Sequence, residues 1–200
     1  MKTNTENIKA VYQLASAVER VDGSNWYPVA HCVALELADR YHVTECQAIG
    51  VIAVLSPRNR WERNVHDAEA LISAYVAAGA PQAMLTKVCT FTANKTKAIK
   101  ILQAVDPTAD EVRAILSGPK LKEFFGCILG SRDEICVDGH AYCIWSGGRT
   151  GLKDVPAIGV KLRREIKADY VKAAQALDVS PSVLQAITWI VWRRIHGVTK

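Results

Sequence analysis

The sequence predicts an all-α fold. Apolar residues recur at the spacing of amphipathic helices along almost the whole 200-residue chain. No Asn-Gly turn separates alternating runs as it would in a β-hairpin. The interruptions, at "VDGSNWYP", "AAGAPQ", "SGGRTGLKDVPAIG" and "LDVSPS", are short and rich in Gly, Pro, Ser, Asp and Asn. No internal repeat, low-complexity tract or heptad run is present, which argues for a helical bundle over a solenoid or coiled coil.

In chain order, helices are expected over 5–20, 28–41, 45–56, 60–78, 93–103, 109–117, 119–129, 139–147, 160–176 and 181–195. Thr44 with Gln47, and Thr108 with Glu111, have the capping-box spacing, in which each side chain satisfies an orphan N–H at the helix start. Pro119 and Pro181 suit first-turn positions, where a missing N–H costs nothing. Asp138 stands just before the 139–147 segment and is placed to cap it.

Half the residues are hydrophobic and 22% charged, the composition of a globular chain that buries a core as one domain or as two packed subdomains. The start of the chain has no apolar stretch of the secretory type. The longest apolar runs, such as "AIGVIAVL", fall short of the roughly 20 residues that span a bilayer, so a cytoplasmic protein with no membrane contact is expected. The six cysteines lack the dense spacing of a secreted scaffold and are expected to be reduced, buried thiols. Cys136, His140 and Cys143 have the i, i+4, i+7 spacing of one helical face. A closed zinc site needs a fourth ligand, however, and core packing without a metal is expected. The net charge is +5, with basic residues gathered in "NKTKAIK", "GPKLK", "KLRREIK" and "WRR". That pattern fits a polyanionic partner or simply solvated helix faces.

One stretch carries the chemistry. "AILSGPKLKEFFGCILGSRDEICVDGHAY" reads as a helix ending at Ser117 and Gly118, a second helix opening at Pro119 and Lys120, and then an acid, Asp138, inside an apolar run. It resembles the helix-hairpin-helix DNA glycosylases of the endonuclease-III type, whose hairpin L-P-G-x-G-x-K is followed after one helix by V-D-T-H. Here "SGPKLKEFFGCIL" and "VDGH" keep the family's lysine-to-aspartate spacing. The likeness runs in order along most of the chain. "VIAVLSPRNRWERNVHDAEALI" is similar to the family's early helix-loop-helix, whose L-S-x-Q-type loop fills the gap left by an extruded base. "FTANKTKAIKIL" resembles the helix leading into the hairpin, and "LQAITWIVWRRIHG" the last packed helix.

The resemblance implies two helical subdomains flanking a cleft, 1–44 plus 139–200 and 45–138, with the hairpin-like segment at 114–129. It implies a monomeric enzyme acting on a flipped base in double-stranded DNA, without a cofactor. Asp138 would stabilise the positive charge that develops on the sugar as the glycosidic bond breaks. Lys120 would supply the amine that attacks C1′ and forms a Schiff base, for which it must be neutral, a state that burial favours. Arg58 or Asn59 would enter the gap, with Trp26 and Trp61 stacking at the base. Gly118, and Lys161 in the second glycine-hairpin-like stretch "VPAIGVKL", would contact phosphates. Gln185 and His140 complete the set, His140 as a hydrogen-bonding residue and Gln185 facing the same way as Trp189. The chain departs from the family pattern at Leu116, which stands where the hairpin's first glycine would be, and no cysteine follows Cys143 to build a C-terminal iron–sulfur cluster. Two other readings fit the same residues: a glycosylase-like enzyme of the kind phages use to elaborate thymine, without base release, and a non-catalytic DNA-binding or interaction protein.

Overall fold

The structure, a computed structural model, describes residues 3–151 and 153–197. Among them are ten α-helices and no strand: α1 (Asn4–Gln13), α2 (Ala17–Tyr41), α3 (Glu45–Leu55), α4 (Trp61–Leu85), α5 (Thr92–Gln103), α6 (Ala109–Ile115), α7 (Pro119–Ile128), α8 (Gly139–Ser146), α9 (Val160–Leu177) and α10 (Pro181–Ile195). The all-α expectation holds. Among the described residues no helix is long and apolar enough to cross a membrane.

Three helices, α1, α2 and α4, depart from their expected bounds. The expected break at "VDGSNWYP" is absent, and α2 runs through Gly23 and Pro28. The break lies instead at 14–16, where Ser16 and Glu19 satisfy each other's backbone N–H groups in a capping box that the apolar pattern hides. Gly23 is where α2 meets α10. A Cβ on it would sit 2.5 Å from Ile187 Cγ1 and 2.7 Å from Ile187 Cα, so only glycine admits this approach. The break at "AAGAPQ" does exist, as a kink with Gly79 at φ 75°, but helix resumes beyond it to Leu85.

The chain forms two compact units, Met1–Pro28 with Gly130–Lys200, and Val29–Leu129. The boundaries differ from the expected 44/45 and 138/139. The first half of α2 packs on α10, and the segment before α8 buries Ile135 and Val137 with the helices that follow it.

In the first unit α1, α8, α9 and α10 enclose Ile8, Val137, Ile144, Ile166, Tyr170 and Leu184. Polar ties fix their register. Asn7 Nδ2 donates to the Trp145 carbonyl at 3.1 Å, and Trp145 Nε1 donates to Asp169 Oδ2 at 2.8 Å. In the second unit α3 is the axis: every residue from Gln47 to Leu55 is buried, against α4, α5, α6 and α7. Gln47 serves two helices at once. Its Oε1 accepts from Thr44 N at 2.8 Å to close the α3 capping box, while Nε2 donates to the Leu102 and Ala104 carbonyls, at 3.2 and 2.8 Å, where α5 ends.

Candidate functional site

Asp138 is the N-cap of α8 and half-buried. Its Oδ1 accepts from Ala141 N at 2.9 Å, so the helix start fixes the carboxylate's orientation. Among the described residues Oδ2 has no hydrogen-bond donor. Apolar neighbours hold it: Val137 and Ala141 on either side are fully buried. Arg163, reaching from α9, donates to the Val137 carbonyl at 3.0 Å and pins the chain just before the acid. Behind it lies the fully buried Tyr170, whose hydroxyl is 3.4 Å from Thr188 Oγ1. Burial pushes the Tyr170 phenol well up; the Thr188 contact opposes this, and the negative charge of Asp138 adds to it. Arg163, Tyr170 and Thr188 were not foreseen from sequence, since their spacing reads only as helix.

The two expected catalytic residues belong to different units, Asp138 to the first and Lys120 to the second. Lys120 is exposed in the first turn of α7. The burial expected of a neutral, nucleophilic amine is therefore absent. The helix α7 opens as the sequence indicated, with Gly118 as its cap and Pro119 first, while α6 ends two residues earlier than expected, at Ile115 with Leu116 as its C-cap. Gly118 adopts φ 77°, ψ 151°, a conformation close to glycine-only. Leu116 points into the core at 2% exposure, which accounts for a leucine where the hairpin pattern has glycine. Lys97 Nζ meets Ser117 Oγ beside this turn, and Arg113 lies over the Phe125 ring at 5.6 Å, linking α6 to α7.

In the same unit, the loop between α3 and α4 holds Arg58 and Asn59. Arg58 is exposed, in the left-handed region at φ 61°, with its guanidinium 5.1 Å from the centroid of the exposed Phe91 ring. Asn59 is not an open tip: its Nδ2 donates to the buried Asp67 at 3.0 Å. Trp61 is half-buried as the first residue of α4. Phe91 and Asp67 were missed because one reads as a helix-flanking aromatic and the other as a polar face.

In the first unit the structure gathers Trp26, Tyr27, Gln185 and Trp189. The rings of Trp26 and Trp189 meet edge-on at 5.9 Å, and Arg193 lies 4.3 Å from the Trp189 centroid. Gln185 is buried, its Oε1 accepting from Tyr27 OH at 2.6 Å, and Trp26 and Trp189 are half-buried. His140 is half-buried in the first turn of α8, and Lys161 is exposed in the first turn of α9. An open depression of about 680 Å³ lined by Ser24, Arg132, Gln175, Asp178 and Ser180 includes none of the expected site residues.

Two further expectations need correction. Cys136 precedes α8 and is not helical, so Cys136, His140 and Cys143 do not share one helical face. Only Cys127, Cys136 and Cys143 are buried; Cys32 and Cys89 are exposed, Cys46 is intermediate, and all six are free thiols. Among the described residues no group of three His, Cys, Asp or Glu side chains is placed to hold a metal ion.

The fold and site thus define an all-helical protein with a helix-capping, half-buried aspartate and a tight turn between α6 and α7. Residues 1–196 match a family of unknown function, DUF7178, and the chain belongs to it. Comparison with curated proteins and with solved structures returns no match.

Proposed function

We propose that the protein is an enzyme of the helix-hairpin-helix DNA glycosylase kind that acts at the glycosidic bond of a nucleotide flipped from duplex DNA. The observation that carries this reading is Asp138, half-buried and held by the start of α8 through Oδ1, with no donor to Oδ2 among the described residues. A carboxylate fixed in this way can stabilise the positive charge on C1′ as the base departs, and its orientation costs no reorganisation during the reaction. Supporting it are the exposed Arg58–Phe91 pair, suited to stacking where a base has left, and the basic residues Lys97, Lys120 and Lys122 around the α6–α7 turn, suited to phosphates. In this reading Lys120 neutralises a phosphate and is not the nucleophile, because it is exposed. The protein works as a monomer, without a cofactor.

The test is incubation with duplexes carrying uracil, oxidised pyrimidines, 5-hydroxymethyluracil or an abasic site, with borohydride present to trap a Schiff base. Base release abolished by Asp138→Asn, without trapping, is the expected result. Trapping lost in Lys120→Gln would restore the lysine as nucleophile. A base that changes mass without being released would point to the thymine-elaborating reading. No reaction across the panel, with Asp138→Asn unchanged in DNA binding, would leave a non-catalytic binding protein.

A further inference from the structure

Asp67 is a fully buried carboxylate in the second turn of α4 that receives three donors from three segments of the second unit. Asn59 Nδ2 reaches Oδ2 at 3.0 Å from the α3–α4 loop, and Cys89 N reaches the same oxygen at 2.7 Å from the α4–α5 loop. Arg63 Nε reaches Oδ1 at 2.6 Å from the preceding turn of α4. An aspartate whose only task was to balance a charge would need Arg63 alone. This one ties together two loops that are separate in sequence, and on each loop the residue next to, or two beyond, the tie is exposed: Arg58 and Phe91.

Those two exposed residues meet. The Arg58 guanidinium lies over the Phe91 ring, and Arg58 holds a left-handed backbone that a non-glycine residue adopts only when its surroundings impose it. The imposed constraint is at hand, since the neighbouring residue, Asn59, is anchored to Asp67. We propose that Asp67 is a positioning residue, whose buried carboxylate clasps the 56–60 and 86–91 loops so that Arg58 and Phe91 stand as a preformed cation–aromatic tip for an unstacked nucleobase. This rests on the nucleic-acid reading above and adds to it the residue that holds the tip in shape. Preorganisation is what the clasp supplies: without it the loops would have to be ordered at the moment of binding, at the expense of affinity.

Two measurements on the full-length chain separate the clasp from the reading it rests on. Hydrogen exchange without DNA reads the clasp directly. Asp67→Asn, and the milder Asn59→Ala should the first variant fold poorly, are expected to speed exchange in 56–60, with Asp67→Asn also speeding 86–91, while α3 and α5 keep their protection. Unchanged exchange in 56–60 in both variants overturns the proposal. The second measurement uses a duplex carrying a tetrahydrofuran abasic analogue opposite 2-aminopurine, whose fluorescence reports unstacking. Asp67→Asn is expected to weaken binding about tenfold, on the scale of coupling within one hydrogen-bond network. It should add no further loss in the Arg58→Ala, Phe91→Ala background. An equal loss in that background would show that Asp67 acts on the fold at large and not through the tip. If the wild-type protein neither binds nor brightens the duplex, the nucleic-acid reading fails and the tip's role with it, while the exchange result still decides whether the clasp exists.

Discussion

Asp138 combines two roles that substitution can separate. Asparagine caps a helix about as well as aspartate, so Asp138→Asn should change unfolding free energy by no more than about 0.5 kcal/mol, whereas Asp138→Ala removes the bond to Ala141 N and costs about 1 kcal/mol. Urea denaturation of the two variants checks this, and equal losses would mean that charge, not capping, dominates at this position. Asp67 gives the corresponding pH signature. Burial pushes its carboxyl up, but the Cys89 N–H first, then Arg63 and Asn59, outweigh that and hold it below the ordinary value. A carboxylate with a depressed folded value contributes fully above its unfolded value of about 3.9, and the contribution fades as pH falls through the lower folded value. The stability difference between the wild type and Asp67→Asn should therefore be constant from neutrality down to about pH 4 and shrink below it. His66, with Nδ1 3.8 Å from the carboxylate, is exposed, and only a minor perturbation from it is expected.

At the scale of elements, tertiary contacts reverse what local rules recommend. A capping box accepts Glu as readily as Gln at its third position, so the sequence alone makes Gln47→Glu neutral. In the structure the side chain's Nε2 donates to the carbonyls ending α5, and a buried carboxylate there would face acceptors. A loss of about 2–3 kcal/mol is expected, read by chemical denaturation. Likewise Gly23→Ala should stabilise a helix by about 1 kcal/mol on propensity. Its Cβ would instead meet the Ile187 backbone at 2.7 Å, so the expected change is a loss of about 1–3 kcal/mol. A gain in melting temperature would show that α2 and α10 have room to separate.

For the molecule as a whole, the surplus of positive charge is the property most exposed to a solution test. If the basic residues near the α6–α7 turn meet phosphates, affinity for duplex DNA should fall steeply with salt, and each of Lys97→Ala and Lys120→Ala should flatten the log–log slope by about 0.9. A slope that ignores both substitutions would point to a protein partner. Much of this molecule was determined by its sequence: the helical periodicity, the boundaries of α3, α6, α7 and α10, the caps at Thr44, Thr108 and Asp138, and the turn at Gly118 are all written in residues within a few positions of one another. Only the tertiary structure decided that α2 runs unbroken through Gly23 and Pro28, because α10 rewards a glycine at that contact. It alone placed Lys120 at the surface, brought Arg163 and Tyr170 behind Asp138, and joined Asn59 to Cys89 through Asp67. The physical reason is one of range. Capping and periodicity act over one helical turn and leave a mark in the local pattern, whereas burial of a polar side chain depends on partners from distant segments, and until they pack, an aspartate such as Asp67 is indistinguishable from any other on a solvated helix face.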